Sequence, residues 1–383
     1  MKILHTGDVH LDSPFAHLSA AAAAERRSEL RATFSDMMAY ARTEAVDLLL
    51  IAGDLFDRQF VTRDTVALLQ EEFAALPCPV IIAPGNHDPA EEGSVWKKHA
   101  FPENVHVFTE PTLRKISLDE LSCDVYGYAF TEPTLRDCPL SGKTVEDPEK
   151  INLLCVHGDT TSPISTYGPL PGAVLTAFGA DYTALAHIHN PEAANAALPV
   201  PGAYCGCPEG RDFGEAGRKG ALLVTVDKIG GEAHVASKFV RFCRKVYEVR
   251  RLNVDGAATG SDVAAAIRRL CAEEGLGADV LLRVILQGSV DPALNVNPTV
   301  LANDKKELCH LEVRDETVPT WNAALLQSDP GIRGELYRVL LPRLESADAA
   351  ERRNAAAALR LALAALAGAD LPLRGREEES HAN

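Results

Sequence analysis

The sequence predicts an α/β fold with a smaller second domain, and three observations carry that reading. Apolar runs at residues 2–6, 47–52, 79–83, 151–156 and 181–186 have the length and continuity of buried strands. Each run ends in a corner of polar residues marked by glycine or histidine. Helix-forming segments separate the first three runs, so the chain opens strand–helix–strand–helix–strand, the order of a parallel sheet.

Residues 2–6 lead into Gly7-Asp8-Val9-His10. Residues 20–45 are rich in Ala, Glu, Arg and Met without internal Gly or Pro, which predicts a long helix. The run 47–52 breaks at Gly53-Asp54, with Asp57 and Arg58 close behind. A helix over 64–75 precedes the run 79–83, which ends in Pro84-Gly85-Asn86-His87-Asp88. Short strands are expected within 105–130, with turns at Glu110-Pro111 and Glu132-Pro133. The run 151–156 ends in His157-Gly158-Asp159, and 181–186 ends in His187-Ile188-His189. Residues 199–240 read as hairpins turning at Pro201-Gly202 and Gly230-Gly231.

Composition changes at the basic stretch 241–251. A strand at 246–254, a helix at 261–274 and a strand at 279–287 make a compact β-α-β unit. Residues 290–330 read as irregular apart from a strand at 308–313. Two helices, 332–344 and 347–368, precede a polar tail over 374–383. The expected division is 1–240, 241–330 and a C-terminal portion 331–383.

The chain has 383 residues, 46% of them hydrophobic, enough to bury a core in each of two domains. The formal net charge of −16 argues against gripping nucleic acid by charge alone. Residues 1–240 hold 19 basic against 33 acidic side chains, so the acidic excess lies where the polar corners do. Bound divalent cations would offset part of it. Nine cysteines without a Cys-x-x-Cys pair suggest reduced thiols in a cytoplasmic protein. Residues 2–6 are too short for a signal peptide, and no apolar run reaches membrane-spanning length, so no membrane association is expected.

The corners carry chemistry. Asp8 and His10 flank Val9, so in extended geometry both project to one side, as do His187 and His189. In an open α/β sheet ligands collect at the carboxyl ends of strands, so the corners should converge. Mixed carboxylate, amide and imidazole donors suit a divalent transition metal, and a two-metal site needs one shared carboxylate, assigned here to Asp54.

In chain order the corners read Asp-x-His, Gly-Asp-x-x-Asp-Arg, Gly-Asn-His-Asp, His-Gly and His-x-His. That order resembles the calcineurin-like metallophosphoesterases. The resemblance implies a four-layer αββα sandwich with a smaller C-terminal α+β capping domain. It also implies two divalent metal ions, manganese first, with iron, zinc or magnesium as alternatives. Asp8, His10, Asp54 and His189 would hold one ion, and Asp54, Asn86, His157 and His187 the other. Water activated between the ions would attack phosphorus in line. His87 would assist as the acid, steered by Asp57, and Arg58 would touch phosphate; for Asp57 a turn cap, and for Arg58 a surface salt bridge, are the competing readings.

Three further stretches narrow the resemblance. His5-Thr-Gly-Asp-Val-His-Leu-Asp-Ser-Pro-Phe15 is similar to nuclease subunits of bacterial DNA-repair complexes of the SbcD type, especially a YhaO-like branch. Residues 181–189 are similar to their last metal motif, with Ala186 where glycine is usual. Residues 201–220 are similar to the segment closing their phosphoesterase domain. This likeness implies a DNA exonuclease or endonuclease, a coiled-coil ATPase partner of the SbcC kind, and room for a homodimer. The alternative is a small-substrate phosphodiesterase or phosphatase on the same metal site.

Overall fold

The computed structural model describes residues 1–366 apart from 17, 292, 293, 295, 306, 320 and 321. The polar tail expected over 374–383 lies outside the described residues. The chain divides into two compact units, Met1–Tyr247 and a second from Glu248 onward.

In the first unit the order is β1 (Lys2–Thr6), α1 (Ala20–Thr43), β2 (Leu48–Ile51), α2 (Arg63–Ala74), β3 (Val80–Ile82), α3 (Val95–Lys98) and β4 (Val105–Val107). It continues with β5 (Arg114–Leu118), β6 (Cys123–Gly127), β7 (Ile151–His157), α4 (Gly172–Phe178), β8 (Tyr182–Ala186), α5 (Glu192–Ala196), β9 (Gly202–Tyr204), β10 (Gly220–Ile229) and β11 (Glu232–Arg241). One sheet has the order β11-β10-β1-β2-β3-β4, the other β5-β6-β7-β8-β9. The strands β1 to β4 pair in parallel, as do β6 to β9.

The period-two alternation of the strands builds the layers. On β1, Thr6 Oγ1 lies 3.7 Å from Met37 Sδ of α1, while His5 Nδ1 lies 3.0 Å from the Tyr182 hydroxyl of β8. On β7, Cys155 Sγ points at the Ile51 carbonyl of the first sheet, 3.7 Å away. Leu154 and Val156 instead join the core containing Phe178 of α4. Helices thus cover the outer face of each sheet, which is the calcineurin-like αββα sandwich. Each fully buried Leu or Val on these strands contributes about 1.5–3 kcal/mol.

Residues 199–240 depart from the expected pair of hairpins at Pro201-Gly202. Gly230-Gly231 does turn the β10–β11 hairpin, but Gly202 opens β9, a parallel edge strand paired with β8. A Pro-Gly pair marks a strand start there because an edge strand can spare one N–H. The usual glycine replaced by Ala186 is also explained: a Cβ on Gly7 would sit 2.5 Å from the Ala186 Cβ, so Gly7 leaves the space Ala186 fills.

Glu209 ties α1 to the chain after β11. Its carboxylate is buried and accepts from Arg26 Nη2 (3.0 Å), Thr33 Oγ1 (3.0 Å), Arg244 N (2.7 Å) and Lys245 N (3.0 Å). Glu209→Ala would take one buried carboxylate from Arg26, which keeps Glu29 and the Gly210 carbonyl, and would leave two backbone donors unpaired; it is expected to destabilise by about 3 kcal/mol. Urea unfolding checks this; a midpoint within error of wild type would contradict it.

The second unit holds β12 (Val246–Asn253) from Glu248 onward, α6 (Gly260–Glu274), β13 (Val280–Gln287), β14 (Ser289–Val290), α7 (Pro298–Asn303), β15 (His310–Asp315), β16 (Val318–Pro319), α8 (Ala323–Ser328), α9 (Ile332–Leu344) and α10 (Ala349–Leu366). Its main sheet is β12-β13-β15, with α6 opened by a Thr259–Asp262 capping box. The stretch 290–330, expected to be irregular, contains the short helices α7 and α8, each capped by an asparagine side chain.

Candidate metal centre

Four of the five polar corners are stitched together by hydrogen bonds that run between them. Asp8 N donates to the Gly53 carbonyl at 3.0 Å, and His10 N to the Asp54 carbonyl at 2.9 Å. Asp88 is buried and links two corners: its Oδ1 accepts from Gly85 N (2.7 Å) and Asp54 N (3.0 Å), and its Oδ2 from Leu55 N (2.9 Å). His187 N donates to the Asp8 carboxylate at 2.9 and 3.1 Å. Asp8, His10 and Asp54 adopt left-handed backbone, with φ of 48°, 50° and 51°. Non-glycine residues there cost about 1 kcal/mol or more each, strain that persists because the surrounding bonds over-determine it.

The imidazoles face inward because their outer nitrogens are committed elsewhere. His10 Nδ1 bonds Asp57 Oδ1 at 2.9 Å, His157 Nδ1 donates to the Ala52 carbonyl at 3.0 Å, and His189 Nδ1 bonds Glu215 Oε1 at 2.7 Å. Their Nε2 atoms therefore converge on two buried carboxylates. His157 Nε2 and His10 Nε2 lie 3.4 and 3.7 Å from Asp54 Oδ2, and His189 Nε2 lies 3.7 Å from Asp8 Oδ1. Outer partners of this kind fix the tautomer of a metal-ligating histidine.

The donor set suits divalent cations. His10 Nε2 and His189 Nε2 meet at 3.4 Å, and His157 Nε2 meets Asn86 Oδ1 at 2.9 Å. Each contact sets acceptor against acceptor unless a proton or a cation lies between. Burial, and the neighbouring His157, lower the proton affinity of His187 to about 4; burial and the Arg211 charge lower that of His10 to about 4. Neutral imidazoles are the ligating form. Burial pushes Asp8 above the usual carboxylate range, with the nearby Asp54 charge adding to it, so a cation would favour its ionised form. Among the described residues, Asp8, His10 and His189, and Asp8, Asp54 and His157, each bring three ligand atoms within 4.8 Å of one another.

The remaining predicted residues fall as follows. His187 stacks near His157, ring centroids 5.1 Å apart, and against Tyr167 at 5.3 Å. His87 is the most open, with 47% of its side chain exposed, and its Nδ1 bonds Asp57 Oδ1 at 3.0 Å. Asp57 therefore serves His10 and His87 through one oxygen, a wider role than steering His87. Arg58 lies apart from these contacts: its Nη1 donates to Glu91 Oε2 at 2.9 Å. The basic stretch 241–251 is also largely paired, Arg244 with Asp36, Arg250 with Glu248 and Glu274, and Arg251 with Glu316.

Sequence reading missed the supporting residues Asp88, Glu215 and Arg211. Glu215 accepts from His189 and from Arg211 Nη2, 2.7 Å each, and these bonds outweigh burial to keep its carboxyl well below the usual range. The Asp88 signal was present, as the last residue of the Gly-Asn-His-Asp corner. Glu215 stands 26 residues from His189 and only the fold joins them.

Gly85 shows how little slack the centre has. A Cβ there would lie 2.3 Å from Asp54 Oδ1 and 2.8 Å from His157 Nδ1. Gly85→Ala is expected to displace both side chains and lower metal content at least about tenfold, measured by mass spectrometry of the dialysed protein. Full metal content in this variant would contradict the packing.

A sandwich of two sheets with buried carboxylates and imidazoles gathered at its strand ends is the architecture of a metal-dependent hydrolase of phosphoesters. Residues 1–191 match the calcineurin-like phosphoesterase family, and the chain belongs to it. Among relatives, the uncharacterized metallophosphoesterase YhaO of Bacillus subtilis is 28% identical over 303 residues, 76% of this chain and 72% of that protein. A subunit of the SbcCD nuclease of Staphylococcus epidermidis is 27% identical over 230 residues, 51% of this chain and 58% of its own length. Among the described residues no helix is long and apolar enough to cross a membrane.

Proposed function

We propose that this protein is a two-metal phosphodiester hydrolase that cuts DNA. The convergence of three imidazole Nε2 atoms on Asp8 and Asp54 carries the hydrolase reading; similarity to the SbcCD nuclease subunit supports DNA as substrate. Asp8, His10, Asp54 and His189 would hold one divalent ion, and Asp54, Asn86, His157 and His187 the other, with Asp54 shared. Such ions, manganese first among them, activate water and neutralise phosphoryl charge.

The protein's own groups do the rest. Burial pulls His87 down, but its bond to Asp57 and the Asp54 and Asp57 charges raise it to about 9. His87 is then protonated at neutral pH, with Nε2–H left to donate to a phosphoryl or leaving oxygen. The acidic surface points to a partner that supplies DNA affinity, and a coiled-coil ATPase of the SbcC kind is the partner we propose.

A second reading, a small phosphodiester as substrate, is favoured by the pairing of the basic stretch with carboxylates. Digestion of linear single- and double-stranded DNA with manganese, beside bis(p-nitrophenyl) phosphate, separates the two. Turnover of the small diester with DNA left intact would sink the nuclease reading.

A further inference from the structure

We infer that Arg211, held by Glu215 beside His189, is the cationic side chain that binds a phosphoryl oxygen of the substrate, the role the sequence suggested for Arg58. The inference rests on the phosphoester-hydrolase reading above and adds to it the group that grips the substrate.

Arg211 is fixed in place by one carboxylate. Its backbone N donates to Glu215 Oε2 at 2.7 Å, its Nε to Oε1 at 3.1 Å and its Nη2 to Oε1 at 2.7 Å. Its main chain is held as well, because the Tyr247 hydroxyl donates to the Arg211 carbonyl at 2.9 Å. A guanidinium carries five N–H donors in a rigid fork. Glu215 takes Nε and Nη2, and Nη1 makes no hydrogen bond among the described residues. The two donors of Nη1 are thus left for a ligand on a rigid arm.

The position suits a substrate anion. Arg211 Nη2 lies 3.2 Å from His189 Nδ1. On the far side of that ring, His189 Nε2 lies 3.4 Å from His10 Nε2, and the His10 and His87 ring centroids are 4.7 Å apart. A run of contacts thus links Arg211 through His189 and His10 to His87. About a fifth of the Arg211 side chain, 19%, remains exposed. The Arg58 side chain, by contrast, runs to Glu91 rather than to a candidate metal ligand. A planar, always-charged fork next to metal ligands is the usual means of holding a phosphoryl oxyanion.

Glu215 then does two things with one carboxylate. It sets the His189 tautomer and orients the guanidinium through Oε1, and holds the Arg211 backbone N through Oε2. A purely structural Arg211, present only to neutralise Glu215, would leave phosphate affinity untouched when exchanged for a neutral hydrogen-bonding side chain. That difference is measurable.

The test uses the full chain with manganese, inorganic phosphate as the probe, and the variants Arg211→Gln and Arg211→Lys. Phosphate binding is read by calorimetry, metal content by mass spectrometry, and KM and kcat on bis(p-nitrophenyl) phosphate. In Arg211→Gln, metal content should stay at the wild-type level while phosphate affinity falls and KM rises about tenfold or more. Arg211→Lys should recover part of both, and guards against a folding defect in the first variant. Unchanged phosphate affinity at unchanged metal content would overturn the inference. So would joint loss of metal and phosphate, which would place Arg211 behind His189 rather than on the substrate, and so would absence of phosphate binding by wild type. If phosphate binding depends on Arg211 yet wild type turns over no diester, the inference stands and the hydrolase reading fails.

Discussion

Replacing Asp54 by asparagine is expected to lower turnover of a phosphodiester at least about 10³-fold, roughly 4 kcal/mol of transition-state stabilisation, with the fold intact. The reason lies in which contacts asparagine can keep. Asp54 Oδ1 accepts from His87 N at 2.8 Å, and an amide oxygen can do the same. Oδ2 is the atom facing His157 Nε2 and His10 Nε2. An amide NH₂ there could donate to those imidazoles, so the protein needs no rearrangement, but it offers no lone pair and no charge to a cation. Burial opposes ionisation of Asp54, yet the neighbouring His157, His10 and His87 hold its carboxyl well below the usual range. The carboxylate is therefore present over the whole working pH range, and asparagine removes it at every pH. Metal content measured after dialysis should fall by about half or more, because both proposed sites share this residue. Wild-type metal content and rate in Asp54→Asn would remove the bridging assignment.

Much of this centre was legible because its parts sit where strands end. A buried apolar run followed by glycine and a polar residue reports both a strand and the corner after it, as with residues 47–54 and 79–88. The order of five such corners then identified the family, and Asp8, His10, Asp54, Asn86, His157 and His189 do come together in one place. What the sequence hides is contact at long separation. Glu215 lies beyond β9 with no apolar pattern around it, so nothing local says that its carboxylate reaches His189. Arg58 stands next to Asp57 in sequence, yet its side chain runs to Glu91, the surface salt bridge that was its competing reading. The short helices α4, α7 and α8 escaped because six or seven residues carry too few turns for a helical period to stand out. The alternation along β7, by contrast, was masked by burial on both faces, which makes a strand between two cores uniformly apolar.

Asp57→Asn is expected to damage two functions at once, and this separates it from a change at His87. Asp57 Oδ1 accepts from His10 Nδ1 at 2.9 Å and from His87 Nδ1 at 3.0 Å. Burial opposes its charge, but these two bonds hold its carboxyl well below the usual range, so it is ionised throughout. A neutral amide oxygen would keep the geometry and lose the charge. At His87 the consequence is a pH shift with a definite sign. The raised value of about 9 means that the protonated acid persists up to that pH and is lost as pH rises through it. Without the Asp57 charge the loss moves down toward the ordinary histidine value of about 6.5. The alkaline limb of kcat/KM, near pH 9 in wild type, should therefore shift to lower pH, with the rate at pH 8 down by up to about 30-fold. At His10 the loosened Nδ1 should weaken metal affinity about tenfold. His87→Ala should lose turnover while retaining metal. If Asp57→Asn weakens metal binding but leaves the alkaline limb in place, then Asp57 serves His10 alone and some other group supplies the proton.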